Sequence, residues 1–113
     1  MHEYSIVSAL LERVSAEARA HNATAVYRLT LRIGDGAGVE PDLLSKAYEH
    51  FRAGTICVRA ELCIEPVAEL WVCPVCGRTL ERGAVLSCEG CGMPARLMSG
   101  DEIILERIEM EVP

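Results

Sequence analysis

Two Cys-x-x-Cys pairs, Cys73-Pro74-Val75-Cys76 and Cys88-Glu89-Gly90-Cys91, constrain this chain more than any other feature, because each pair can present two sulfurs to a single ion. Eleven residues separate the pairs, and each is followed by a glycine, Gly77 and Gly92. The two-residue gap lets both sulfurs of a knuckle reach one ion, and the glycine permits the tight turn that aims backbone N–H groups at them. Four thiolates fill a tetrahedral shell, which favours Zn(II) and leaves no open position for a substrate or an activated water. A structural zinc held by Cys73, Cys76, Cys88 and Cys91 is therefore expected. It would supply folding free energy that burial of Val72, Val75, Leu80, Val85 and Leu86 alone cannot.

Two disulfides or unliganded thiols are the alternative, and they suit an oxidising compartment. The chain opens on His2-Glu3, where a secretion signal would carry basic residues before an apolar run, so the expected compartment is the reducing cytoplasm. An iron–sulfur cluster would use the same four ligands, but knuckles flanked by Gly and Pro look more like a zinc ribbon. A thioredoxin-type role for Cys73 and Cys76 would leave the second pair without a purpose.

Upstream of the cysteines the periodicity is regular. Ile6, Val7, Leu10, Leu11, Val14 and Ala18 recur at three- and four-residue intervals, with Glu12, Arg13, Glu17 and Arg19 opposite, which predicts an amphipathic helix from Ser5 to about Ala20. Tyr27, Leu29, Leu31 and Ile33 alternate with Arg28, Thr30 and Arg32, the pattern of a half-buried strand that Gly34, Gly36 and Gly38 end. Pro41 suits the first turn of a second helix whose apolar face is Leu43, Leu44, Ala47, Tyr48 and Phe51, and Gly54 closes it. Residues Thr55–Glu65 alternate again, placing Cys57 and Cys63 on one strand face about 20 Å apart at roughly 3.3 Å per residue, too far to chelate together, so both read as structural. Pro66 marks the expected strand end, Trp71 to about Met98 loses all periodicity, and Ile103–Val112 reads as a last strand. The expected fold is α+β, two helices packed on a three-stranded sheet, with a zinc-ribbon-like module inserted before the last strand.

At 113 residues the chain holds one core plus a small metal-stapled lobe. Its formal net charge of -6 works against a phosphate backbone, so nucleic acid is not an expected partner. No run approaches a membrane span, so no membrane is expected either. A free sheet edge, or exchange of the last strand, would allow a homodimer beside the monomer. His21 and His50 stand alone among helical residues, and neither a nucleophile with a paired base nor a phosphate-cradling loop is present, so the chain is not expected to be an enzyme. A zinc-dependent hydrolase would need the open coordination position that four cysteines close.

A histidine at position 2 is by itself most often a solvated terminal residue. Here, however, a bulky second residue blocks removal of Met1, which leaves a free α-amino group one residue before the imidazole of His2. Amine, imidazole and intervening amide nitrogens can wrap one ion in fused chelate rings, an array that suits square-planar Ni(II) or Cu(II) and not tetrahedral Zn(II). Such a site is pH-sensitive, since the amine (pKa about 8) and imidazole (about 6.5) must lose protons to bind.

Met1-His2-Glu3-Tyr4-Ser5, the stretch from Ile33-Gly34-Asp35 to Gly38-Val39-Glu40, the paired knuckles and Ser99-Gly100-Asp101-Glu102 together resemble the HypA/HybF hydrogenase nickel-insertion family, over essentially the whole chain. The resemblance implies a nickel-binding domain of residues 1–67 and 99–113 and a zinc-binding domain of residues 68–98. It implies delivery of Ni(II) to the large-subunit precursor of [NiFe]-hydrogenase, with urease as a second candidate recipient, and a HypB-type GTPase as partner. Carried over by position, His2 is the primary nickel ligand, joined by the Met1 amine and by the backbone nitrogen and carboxylate of Glu3; Cys73, Cys76, Cys88 and Cys91 hold zinc. Glu40 is a further candidate at the start of the second helix, where it would approach His2 if both helix N-termini face the same way; a charge that favours the helix dipole explains it equally well. Asp35-Gly36-Ala37 replaces the more usual Glu-Leu-Ser of the family, and a looser loop is expected there.

The competing reading is a zinc-ribbon module for protein or nucleic-acid interaction with no nickel role. It calls for a basic face, and Trp71–Met98 offers Arg78, Arg82 and Arg96 against Glu81 and Glu89. Removal of zinc by a chelator is expected to loosen the cysteine lobe before the rest of the chain, which amide exchange with and without chelator measures directly.

Overall fold

The three-and-four spacing of the first segment becomes one buried face: Val7, Leu10, Leu11, Val14 and Ala18 all lie in the core. In the computed structural model, described for residues 2–80, 90 and 92–113, this helix α1 runs from His2 to Ala20 and so begins three residues earlier than its apolar pattern indicates. After it come β1 (Ala25–Gly34), α2 (Pro41–Phe51), β2 (Glu61–Val67), β3 (Leu70–Val72), β4 (Thr79–Leu80), β5 (Arg96–Ser99) and β6 (Ile103–Glu111). The fold is α+β, with α1 and α2 packed on a three-stranded sheet of order β2-β1-β6.

β1 is the central strand and alternates only in part: Tyr27, expected on the apolar face, is exposed and donates its hydroxyl to Glu111 Oε2 at 2.9 Å, while Thr30, expected opposite, is buried. Leu29, Leu31 and Ile33 are buried with Leu44, Ala47 and Tyr48 of α2, while Arg28 on the other face reaches Glu61 of β2 at 3.4 Å and Glu109 of β6 at 3.8 Å. These exposed pairs are screened and contribute at most about 1 kcal/mol each; they mark the solvated face. Among the described residues no helix is long and apolar enough to cross a membrane.

Two strand expectations need correction. Residues 55–60 are not strand but a run of turns, and β2 starts at Glu61. Local bonds outcompete the ladder: Thr55 Oγ1 donates to the Arg52 carbonyl at 2.6 Å and accepts the Cys57 N–H at 3.1 Å. The Ala60 carbonyl then accepts both the Tyr48 hydroxyl and Arg52 Nη1 at 2.8 Å, tying the segment back to α2. Cys57 is thereby fully buried off the strand, and Cys63, half-buried in β2, does not share an element with it. The strand end expected at Pro66 is also displaced, since β2 continues to Val67. β2 is an edge strand, where a missing N–H breaks no ladder bond.

Regular structure also exists where periodicity fails. β3 pairs antiparallel with β4 (Trp71↔Leu80, Val72↔Thr79) and with β5 (Trp71↔Leu97, Val72↔Arg96), forming a second sheet of order β4-β3-β5. Strands of two to four residues are too short to establish a period.

The chain divides into two compact units, Met1–Arg32 with Val39–Glu65 and Ile104–Pro113, and Ile33–Gly38 with Pro66–Ile103. Within the second, three stretches of backbone are laced together. Gly34 donates to the Glu102 carbonyl at 2.9 Å, Asp35 to Val67 at 2.8 Å and Gly36 to Gly100 at 2.7 Å, so the segment expected to be loose is tied down by its backbone. A Cβ at Gly34 would collide with the Gly100 carbonyl, and Gly100, at φ +95°, would place one 2.5 Å from the Ala68 oxygen and the Glu69 Cα. Trp71 Nε1 donates to Glu69 Oε2 at 2.6 Å, fixing the side chain beside this crossing.

Gly100→Ala is expected to cost at least about 2 kcal/mol, because backbone and not a flexible side chain would have to yield; denaturant unfolding measures it. A second prediction concerns alkali. Burial pushes the Tyr48 phenol well above its usual value, with the neighbouring Cys57 adding to the shift, and burial likewise pushes the Cys57 thiol up. Both groups are neutral in the folded chain, so the stability they contribute is complete below their ordinary values, about 8.5 for the thiol and about 10 for the phenol. It is lost as pH rises through those values towards the raised ones. Tyr48→Phe should flatten the loss of stability above pH about 10 while costing roughly 1 kcal/mol at neutral pH, as read by unfolding midpoints across pH.

Candidate metal centres

The first candidate centre lies where α1 begins. Its first residues are the donor-bearing ones, and in the opening turn of a helix the N–H groups have no preceding carbonyl to meet. The amide nitrogens of His2 and Glu3 can therefore lose protons to a metal without breaking a helical hydrogen bond. The positive end of the helix dipole disfavours a bare cation at this place but favours the anionic nitrogens that such a deprotonation creates. Met1 and the side chain of His2 lie outside the described residues.

Glu3 and Glu40 are brought together. Glu40 is the N-cap of α2, with extended backbone (φ -87°, ψ 111°), and Pro41 follows it in the first turn. The Glu40 N–H donates to Glu3 Oε2 at 3.5 Å, and the Glu40 carbonyl accepts Leu44 N–H at 3.0 Å as the first bond of α2. One residue further along α1, the Tyr4 ring meets the Phe51 ring edge to face, with centroids 5.1 Å apart. Phe51 is the last residue of α2, and its ring also meets His50 at 5.0 Å. Glu3 thus reaches the start of α2 and Tyr4 its end, so the opening turn of α1 lies across α2. No local pattern announces the bond between Glu3 and Glu40, because its partners are 37 positions apart. Tyr4 and Phe51 are both about two-fifths exposed, and in sequence Tyr4 lies before the apolar pattern of the first helix while Phe51 reads as one position of the second helix's apolar face.

The second candidate centre is the first cysteine knuckle. β3 runs into Cys73, whose N–H donates to the Arg78 carbonyl at 2.9 Å, and Gly77 N–H returns to the Cys73 carbonyl at 2.9 Å. Gly77 adopts φ +73°, the left-handed conformation its turn requires. The Cys76 N–H points at Cys73 Sγ, 3.5 Å away, which stabilises negative charge on the sulfur. This donor set fits a thiolate-held ion, with Cys73 buried and Cys76 exposed.

Cys88, Glu89 and Cys91 lie outside the described residues, whereas Gly90 and Gly92 of the second knuckle do not. Gly92 repeats the turn conformation of Gly77, at φ +68°. A side chain at Gly90 would stand 3.6 Å from Arg78 Nη2, which puts Gly90 beside the residue two past Cys76. Among the described residues, no group of three or more His, Cys, Asp or Glu converges on one point.

A family model described as hydrogenase/urease nickel incorporation, metallochaperone, hypA matches residues 1–110. The hydrogenase maturation factor HypA of Wolinella succinogenes is 40% identical over 98% of this chain and 96% of its own length, and that of Aquifex aeolicus is 38% identical over 99% of both. Among solved structures, the solution structure of the Ni metallochaperone HypA from Helicobacter pylori superposes with TM-score 0.73 at 27% identity, covering 98% of each chain. A second HypA solution structure reaches TM-score 0.78 at 29% identity, covering 97% of this chain and 96% of its own.

Proposed function

Because the chain belongs to the HypA family of hydrogenase/urease nickel-incorporation metallochaperones, we propose that it binds Ni(II) at its N-terminus and delivers it to the large-subunit precursor of [NiFe]-hydrogenase. Urease is a second candidate recipient, a HypB-type GTPase is the partner in delivery, and the work is done in the cytoplasm as monomer or homodimer. The function is binding and transfer, without catalysis. Residues 1–67 and 99–113 carry the nickel site in this proposal, and residues 68–98 carry zinc.

The observation that supports the reading is that α1 opens at His2, which leaves the amide nitrogens of His2 and Glu3 unclaimed by the helix. The Met1 amine, the His2 imidazole and these two amides form four nitrogen donors, a square-planar set for a d⁸ ion. Loading releases protons from amine, imidazole and amides, so the ion carries its charge onto deprotonated nitrogen and leaves when those nitrogens are protonated again. Few ligands on a chain end let the cargo pass to a recipient offering better ones. Glu40 remains a candidate that would add negative charge beside the site.

Cys73, Cys76, Cys88 and Cys91 would hold a zinc whose chemistry is that of a structural cross-link. The geometry at Cys73 supports this reading, since the Cys76 N–H is aimed at its sulfur, where it would steady a thiolate, and Gly77 closes the turn around it.

Equilibrium dialysis with Ni(II) is expected to give roughly one nickel per chain, lost in His2→Ala, and a tag fused to the N-terminus should weaken binding by removing the free amine. Undiminished binding by both altered chains would refute the site.

A further inference from the structure

α2 begins without the local device that usually secures a helix start. Its N-cap, Glu40, makes no side-chain capping bond, and Pro41 in the first turn brings no N–H. Leu43 occupies the third helical position, where a Glu or Gln would reach back to the N-cap N–H. The acceptor for that N–H comes instead from the other helix, as Glu3 Oε2 at 3.5 Å. Glu3 stands where the third-position glutamate of a capping box would stand, supplied across space.

The same turn has a second anchor. Tyr4, the next residue, sets its ring against Phe51 at the far end of α2, 5.1 Å between centroids and 87° between planes. Successive residues of α1 are therefore held at opposite ends of one helix. The Glu3 amide nitrogen, one of the four nitrogens of the proposed nickel site, is bonded directly to the Cα of the first of these anchored residues.

We propose that the Glu3 carboxylate is a positioning group and not a nickel ligand: by accepting the Glu40 N–H it fixes the opening turn of α1 on α2 and presents the amide nitrogens of His2 and Glu3 in a set orientation. This rests on the N-terminal nickel site proposed above. Two arguments support it. Four nitrogens already complete a plane around a d⁸ ion, leaving no equatorial place for a carboxylate. The carboxylate also sits at the positive ends of two helices, its own and α2, where its charge is favourably placed without any metal.

The test compares nickel affinity, the visible absorption of bound nickel and amide exchange at Glu40 in the full chain, in Glu3→Ala, in Glu3→Gln and in His2→Ala. Glu3→Ala removes the acceptor, so exchange at Glu40 should quicken and nickel affinity fall about fivefold to tenfold, with the absorption bands unmoved because the coordinating atoms are the same. Glu3→Gln keeps an acceptor oxygen and should rescue most of that loss and restore slow exchange. If Glu3→Gln loses nickel as badly as Glu3→Ala, or shifts the absorption, the carboxylate is a ligand and the proposal is wrong. Unchanged affinity or unchanged Glu40 exchange in Glu3→Ala overturns it as well. Nickel retained by His2→Ala overturns the underlying site and this proposal with it, whereas nickel lost by His2→Ala and by Glu3→Gln alike overturns this proposal alone.

Discussion

The close backbone crossing at Gly34 and Gly100 is the constraint on which the topology depends. Within the second compact unit, the stretch that follows β2 after Val67 and the one that leads into β6 at Ile103 lie side by side. The two connections are held by N–H groups of Gly34, Asp35 and Gly36 donating to Glu102, Val67 and Gly100. No side chain fits between them, so the arrangement is available only to glycine at positions 34 and 100. The two motifs Ile33-Gly34-Asp35 and Ser99-Gly100-Asp101-Glu102, which in sequence stand far apart, are the two halves of that crossing.

The two candidate centres separate by ligand chemistry. Cys73 and Cys76 offer soft sulfur stabilised by a backbone N–H, the setting of an ion that stays. The start of α1 offers nitrogen donors whose protons compete with the metal, the setting of an ion that is loaded and released. Sulfur would also bind nickel, so keeping cargo from the thiolates depends on their being already filled. In the proposed reading, a closed four-thiolate shell would serve that purpose as well as holding its lobe together.

Helices announced themselves well. The spacing from Ile6 to Ala18 and from Leu43 to Phe51 placed α1 and α2, although on α2 the buried face narrows to Leu44, Ala47 and Tyr48 and leaves Leu43 and Phe51 exposed. The central strand was equally clear in its alternation of Leu29, Leu31 and Ile33 with Arg28 and Arg32. The failures share a cause. Residues 55–60 alternate like a strand, yet Tyr48 and Arg52 draw the Ala60 carbonyl to α2 and Thr55 turns the backbone on itself. β4 is held by pairing with β3 across the knuckle turn and β5 by pairing with β3 from much further along the chain, not by any period of their own.

What the sequence determined by itself was whatever covalent neighbourhood or a short period controls: where the two helices lie, and that Cys73 and Cys76 form one knuckle. What the tertiary structure alone decided was the set of partners distant in the chain: Glu3 with the Glu40 N–H, Tyr4 with Phe51, Gly34 with Gly100. Local propensities act over a turn or two, while such pairings are chosen by how whole elements pack, and no pattern within either partner's own segment carries that information.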